Sequence, residues 1–262
     1  MRYQEITSVH NPQVKAWRAL ADKRAREESG CFMVEGVKMT REAAQHARVR
    51  SVLIQSDMAE RLEADQALFR ALEAQGAAFY GVSEAVLRAV SEAKTPQGIA
   101  ACVEFPQRRP AAGRLIVALD GVQDPGNVGT IIRTADAAGF EGVLLAPGCA
   151  DVYSAKVLRA TMGSVFRMAI ERAADFPAAL ARLREQGYAI LSSELSGAPF
   201  YHRAHSERAV LVVGNESAGV SEAASREATQ RLCLPMRGGA ESLNAAVAAG
   251  IMMYELGKDL DA

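Results

Sequence analysis

Three short stretches carry side chains suited to chemistry. In DPGNVGTIIRTADAAGF, 124–140, Asn127, Gly129 and Arg133 stand on a segment otherwise rich in Ile, Ala and Thr. GNESAG, 214–219, follows the apolar run AVLVV, and RGGAESLN, 237–244, leads into AAVAAGIMM. Each reads as a turn that opens a helix, where free backbone N–H groups meet a polar ligand and glycine lets that ligand approach the main chain. An amide donates and accepts hydrogen bonds, and a guanidinium keeps its charge at any ordinary pH. Helix capping also accounts for part of this pattern. Asp-Pro-Gly-Asn is good βα-turn chemistry, and Ser242 or Asn244 is a fitting N-cap. It leaves Arg133 unexplained, six residues and about 120° around a helix from Asn127.

Several chemistries are excluded by spacing. The first turn has no G-x-x-x-x-G-K-[ST], and glycines 121, 126 and 129 do not make G-x-G-x-x-G. That argues against a phosphate-loop enzyme and against a nicotinamide-dependent oxidoreductase. Gly214 precedes Ser217 by three positions, so the serine nucleophile elbow is not met. His10, His46, His202 and His205 all come before Ser217, which leaves a hydrolase triad without its histidine. His202 and His205 form an H-x-x-H with no carboxylate in a ligand pattern and are read as surface or loop residues; no metal is expected.

Strands alternate with helices along the chain. NPQVKAWRALADKRAREES (11–29) reads as one helix with Asn11 as N-cap and Pro12 at the first helical position. CFMVEG, VRSVLIQ, AAFYGV and GIAACVEF read as strands. VKMTREAAQHA, a helix from Asp57 to Gly76, and SEAVLRAVSE lie between them. FPQRRPAAG (105–113) breaks the periodicity and marks a domain boundary. Beyond it come strands at 114–120 and 142–147, in RMAI, YAILSSE, RAVLVVGNE and RLCLP. Helices are expected from about 127 to 138, through most of 153–166, over FPAALARLREQG, after Ser221 and over ESLNAAVAAGIMMYELGK. Apolar strands alternating with helices imply an α/β fold with a mostly parallel sheet covered on both faces. The expected domains are 1–105 and 114–262, joined by a linker at 106–113. The three turns then fall at strand ends, where open parallel sheets bind ligands.

The whole-chain properties are those of an ordinary globular protein. It has 262 residues, a net charge of −1, 49% hydrophobic and 23% charged residues. That balance speaks against sequence-independent coating of nucleic acid and leaves room for a local basic patch. Cys31, Cys102, Cys149 and Cys233 are far apart, form no C-x-x-C pair, and are read as buried reduced thiols of a cytoplasmic protein. The N-terminus lacks the apolar core of a secretory signal, and no run is long enough to span a membrane.

Taken together, N-x-G-x-x-x-R-x-A at 127–135, GNE at 214–216 and SLNAAVAAG at 242–250 resemble the three motifs of the SpoU (TrmH-like) class of the SPOUT superfamily. DVYSAKVLRATMGSVFRM (151–168) resembles the segment that joins its first two motifs. FMVEGVKMTREA (32–43) and TPQGIAACV (95–103) resemble pieces of the ribosomal-protein-like RNA-binding domain that many members carry. The resemblance implies an RNA ribose 2′-O-methyltransferase that uses S-adenosyl-L-methionine. It also implies a deep trefoil knot in the C-terminal domain and a homodimer formed through it. The implied catalytic residues are Asn127, Arg133, Glu216, Ser242 and Asn244. The implied cofactor contacts are Val213, Gly214, Asn215, Glu216, Leu234, Met236, Ser242, Leu243 and Asn244. Lys15, Arg18, Lys23, Arg24 and Arg26, on or after the first helix, are candidates for an RNA-facing patch; Lys156 and Arg159 are expected near the active cleft. Ribosomal RNA of the large subunit is the favoured substrate. Transfer RNA, or a non-catalytic RNA-binding or ribosome-assembly role, is the alternative.

Overall fold

A computed structural model describes residues 3–55, 58, 65–93, 95–106 and 111–258. The first half of the chain forms β1 (Gln4–Ile6), α1 (Pro12–Ala19), α2 (Lys23–Ser29), β2 (Cys31–Glu35), α3 (Val37–His46), β3 (Val49–Ile54), α4 (Gln66–Ala74), β4 (Ala78–Val82), α5 (Glu84–Val90) and β5 (Ile99–Glu104). The second half forms β6 (Leu115–Asp120), α6 (Pro125–Ala137), β7 (Gly142–Leu145), α7 (Ala155–Thr161), β8 (Ala169–Arg172), α8 (Phe176–Glu185), β9 (Ala189–Pro199), β10 (Ala209–Gly214), α9 (Glu222–Arg226), β11 (Gln230–Cys233) and α10 (Ala245–Gly257). Two compact units result, 1–107 with 153–166, and 108–152 with 167–262.

The first unit is built on a five-stranded sheet of order β1-β4-β3-β5-β2. β3 and β4 run parallel, while β5 is antiparallel to both β2 and β3. Val14, Trp17, Leu53, Val86, Leu87 and Ala100 are core residues. The helix expected over 11–29 is two helices. Asp22 accepts the N–H groups of Arg24 and Ala25 and starts α2 anew. Arg26, expected on the RNA-facing surface, is instead 4% exposed and donates from Nη1 to the carbonyls of Leu20 and Ala21, both at 2.7 Å. It thereby satisfies carbonyls just past α1 that no helical N–H reaches. The helix expected from Asp57 to Gly76 is described as α4; residues 57 and 59–64, including that N-cap, lie outside the described residues, as do 107–110 of the expected linker. The 153–166 segment belongs to this unit through aromatic packing. The Tyr153 ring lies 4.8 Å from that of Phe32 and 4.5 Å from that of Phe105, and the Phe166 ring lies 6.0 Å from that of Phe32. Most of the expected helical stretch forms, as an α-helix over Ala155–Thr161 and a 3-10 turn over Ser164–Phe166. Between them Met162 takes left-handed dihedrals, with φ of 51°, and ends the α-helix.

The second unit is an all-parallel sheet of order β11-β9-β10-β6-β7-β8. Its strands β7 and β10 are buried throughout and β6 at all but its last residue, and Ile116, Leu144, Leu180, Ile190, Val210 and Val212 form part of its core. From β6 the sheet grows one way through β7 and β8 and the other way through β10, β9 and β11. The β6–β10 pair is therefore a switch point, and its C-terminal end is where such sheets open a crevice. The register pairs Asp120 with Gly214 there, so the turns after β6 and β10 leave the sheet side by side.

Candidate functional site

The turn after β6 is stabilised locally. The Asp124 carboxylate accepts the Asn127 N–H at 2.8 Å, and Pro125 occupies the first turn of α6. The helix starts at Pro125, earlier than the expected 127, because Asp124 and not Asn127 is its cap. Asn127 therefore does not spend its side chain on capping, and that side chain is buried.

The turn after β10 closes on itself. Asn215 and Gly219 exchange both backbone hydrogen bonds at 2.9 Å, and Asn215 Oδ1 accepts the N–H groups of Ser217 and Ala218 at 3.0 Å. Asn215 Nδ2 donates to the Gly121 carbonyl at 2.8 Å, tying this turn to the first. Asp120 accepts the Ser221 N–H at 2.7 Å and adds a second tie. Gly214 is obligatory, because a Cβ there would overlap the backbone of Gly219 and Val220.

Glu216 is the centre of the arrangement. Its Oε1 accepts the Asp124 N–H at 3.1 Å and Asn127 Nδ2 at 2.9 Å, and its Oε2 accepts the Gln123 N–H at 3.2 Å. Partial burial disfavours the ionised form. The hydrogen bonds from Asn127 and from backbone N–H groups outweigh it, so the carboxyl titrates below its ordinary value of 4.5. On the other side, Asn127 Oδ1 accepts Asn244 Nδ2 at 3.0 Å. Asn244 also caps α10, with Oδ1 accepting the N–H groups of Ala246 and Val247. Both side-chain amides thus have their orientations set, and Asn127 joins all three turns.

The second and third of these turns border a cavity of about 420 Å³ in the second unit. That is a size suited to a cofactor. Of the residues expected to hold the cofactor, Val213, Gly214, Asn215, Glu216, Leu234, Met236, Ser242 and Leu243 line it. Asn244 does not line it and is placed behind it, as the link to Asn127. Arg133 is exposed on α6, and Asn127 is not a wall residue either.

Sequence reasoning missed one wall. Ser193, Glu194, Leu195 and Ser196 line the cavity from β9, which runs five residues past the expected YAILSSE. Gly197 was the available signal: a Cβ there would meet the Leu232 N at 2.5 Å, so β9 and β11 approach too closely for any side chain. Glu194 is anchored by the hydroxyls of Ser192 and Ser225, each donating to Oε1 at 2.7 Å.

The expected RNA contacts are in the first unit. Lys15 and Arg18 are exposed on α1. Lys23 and Arg24 are exposed on α2 and pair with Glu27 and Glu28 at 3.9 and 2.7 Å. Lys156 and Arg159 are exposed on α7, in the segment that groups with the first unit. His202 and His205 are exposed. Cys31 and Cys102 are buried as expected, whereas Cys149 and Cys233 are only partly so. No group of three or more metal-ligating side chains occurs among the described residues, and no described helix is long and apolar enough to cross a membrane.

A parallel α/β unit with a cofactor-sized cavity lined by the turn after β10 and the segment before α10, both joined to the turn after β6 through Asn127, is the architecture of a SPOUT-class methyltransferase site. Residues 114–254 match the SpoU rRNA Methylase family and residues 11–101 match the MRM3-like substrate binding domain. The chain belongs to the SpoU rRNA methylase family and is an RNA methyltransferase. It is 39% identical, over 96% of its length and 98% of the relative's, to the 23S rRNA (guanosine(2553)-2′-O)-methyltransferase RlmP of Bacillus subtilis (strain 168). Among solved structures it resembles an AdoMet-bound rRNA methyltransferase from Sinorhizobium meliloti, with 36% identity, a TM-score of 0.86 and 98% of each chain covered. It also resembles the SpoU methyltransferase AviRb from Streptomyces viridochromogenes in complex with AdoMet, with 28% identity, a TM-score of 0.86, and 97% and 99% covered.

Proposed function

We propose that this protein transfers a methyl group from S-adenosyl-L-methionine to a ribose 2′-hydroxyl of large-subunit ribosomal RNA. The observation that carries the reading is the joining of three sequence-distant turns through Asn127, Glu216 and Asn244 beside a cofactor-sized cavity. The full-length likeness to RlmP favours ribosomal over transfer RNA.

The cavity suits the donor chemically. Its glycine-rich turns present main-chain groups to an adenine and ribose, and Leu234, Met236 and Leu243 supply apolar surface. When bound, S-adenosyl-L-methionine supplies a methyl group activated by a sulfonium. The chain's own residues align, desolvate and neutralise. Glu216 is committed to three hydrogen bonds and acts by fixing Asn127. Asn127 and Asn244 hold the first and third turns in one register. Arg133, a permanent cation on the exposed side of α6, holds the RNA phosphate next to the target ribose and stabilises the alkoxide as its proton leaves to solvent. Ser242 contributes a hydroxyl to the cavity wall.

The same reading includes a homodimer and a trefoil knot in the second unit. α10 supports the dimer. One face, with Ala246, Ala249, Met252, Met253 and Leu256, is buried, and the other leaves Val247, Ile251 and Tyr254 exposed along a single stripe. A second copy would cover that stripe.

The test is methyl transfer from labelled S-adenosyl-L-methionine to unmodified ribosomal RNA and transfer RNA, with nucleoside mass analysis and Arg133→Ala as control. A 2′-O-methylnucleoside from ribosomal RNA, absent in the control, is the expected product. A methylated base would overturn the ribose assignment, and a product from transfer RNA alone would overturn the substrate.

A further inference from the structure

Strand β9 leaves its ladder where it meets the cavity of the second unit. It pairs Ser192 with Arg231 of β11, and the next residue of β11, Leu232, pairs with Ala198. Residues 193–197 therefore bulge out of the ladder, and Ser193, Glu194, Leu195 and Ser196 become cavity wall. A bulge re-aims side chains, and here it brings the Glu194 carboxylate to the wall.

This carboxylate is held in place. Ser192 and Ser225, both buried, donate their hydroxyls to Oε1 at 2.7 Å. No hydrogen bond to Oε2 occurs among the described residues. Arg231 Nε lies 3.9 Å from Oε1 on a largely exposed side chain, so solvent weakens that pairing, and Arg231 is not a wall residue. The wall itself has one sign of charge. Its acidic side chains are Glu194 and Glu216, and no Lys, Arg or His lines it among the described residues. Glu216 is occupied by Gln123, Asp124 and Asn127. Glu194 is the carboxylate left to act on a ligand.

We propose that Glu194 is the residue by which the cavity distinguishes the cationic methyl donor from its uncharged product. This rests on the methyl-donor reading of the cavity and adds a specificity-determining residue to it. The amino-acid ends of S-adenosyl-L-methionine and S-adenosylhomocysteine are alike, each a zwitterion with no net charge. The two ligands differ by the methyl group and by the sulfonium charge that it creates. A fixed carboxylate in a partly enclosed cavity attracts that charge and is indifferent to a thioether. The two serine anchors keep the carboxylate from swinging out to solvent, so it needs no rearrangement when the donor enters. After transfer the electron pair of the broken C–S bond stays on sulfur, the ligand loses its net positive charge, and the attraction that held it ends.

The experiment is calorimetric titration of the full-length protein and of Glu194→Gln, confirmed as folded by its melting curve. The ligands are S-adenosyl-L-methionine, S-adenosylhomocysteine and sinefungin, whose protonated amine takes the place of the sulfonium. Glutamine keeps an oxygen for the two serine hydroxyls and removes the charge. The variant should bind both cationic ligands roughly ten-fold more weakly, a loss between those of a close charge pair in water and at a protein surface, and should bind S-adenosylhomocysteine within about two-fold of the native value. Ser225→Ala, which removes one anchor, should lower the same selectivity by a smaller factor. In the unaltered protein, added salt should weaken the two cationic ligands and spare S-adenosylhomocysteine. Equal weakening of all three ligands, by the substitution or by salt, would mean that Glu194 holds a part they share or only shapes the wall, and would overturn the proposal. Unchanged affinity for all three in Glu194→Gln would overturn it as well. Failure of all three to bind the unaltered protein would overturn the methyl-donor reading itself, and this proposal with it.

Discussion

Replacing Glu216 by glutamine tests the clasp that joins the three turns, because it changes charge and hydrogen-bond direction while keeping size. In the native chain three donors, the Gln123 and Asp124 N–H groups and Asn127 Nδ2, converge on two anionic oxygens at 2.9 to 3.2 Å. Glutamine offers one oxygen, and its NH2 group meets a donor. A charge-assisted bond contributes about 1.5 kcal/mol at the exposed end of its range, and a neutral one about half of that. Three of the first kind become two of the second, so the clasp weakens by about 3 kcal/mol. Calorimetry of the full-length protein should show a melting point lower by about 6–12 °C. Titration with S-adenosylhomocysteine should show weaker binding, since the loosened turn is also a wall of the cavity. The linkage has a definite sign. Glu216 titrates below its ordinary 4.5 in the folded protein, so its stabilisation is complete above 4.5 and is lost as pH falls through the folded value. The difference in stability between the native chain and the Glu216→Gln variant should therefore be largest at neutral pH and shrink below pH 4.5. An unchanged melting point together with unchanged ligand affinity would refute the clasp, and a difference that grows on acidification would refute its electrostatic basis.

Arg133→Ala should abolish methyl transfer while S-adenosylhomocysteine binding, followed by calorimetry, stays within about two-fold; weakened donor binding would move Arg133 out of its assigned role. Gly214→Ala forces a Cβ into the backbone of Gly219 and Val220, and should cost several-fold or more in donor affinity as well as stability. Met162→Gly relieves a left-handed residue that costs about 1–2 kcal/mol and should raise stability by up to about 1 kcal/mol in urea unfolding, after the greater freedom of the unfolded glycine is subtracted. Val247→Glu with Ile251→Glu should shift sedimentation from dimer to monomer; an unaltered sedimentation coefficient would remove the α10 stripe from the interface.

Local chemistry made much of this protein legible from its sequence. Pro12, Pro125 and Pro177 sit in the first turns of helices, and apolar runs such as AVLVV became the buried strands of the parallel sheet. Each motif turn by itself reads equally as helix capping, and the three became recognisable as a set through their resemblance to the SpoU motifs. The split of the first helix was less legible, since it depends on Arg26 turning inward to meet carbonyls of a neighbouring segment. Only the tertiary structure decided which turns touch. The bonds from Asn127 to Glu216 and to Asn244 span 89 and 117 positions, and strand order, not spacing, brings those residues together. The same holds for the β9 wall of the cavity and for the docking of 153–166 on Phe32 and Phe105. Propensities act over a few residues of chain. The order in which strands pair is set by burying apolar faces across the whole unit, and that order determines which polar groups meet at the sheet's end.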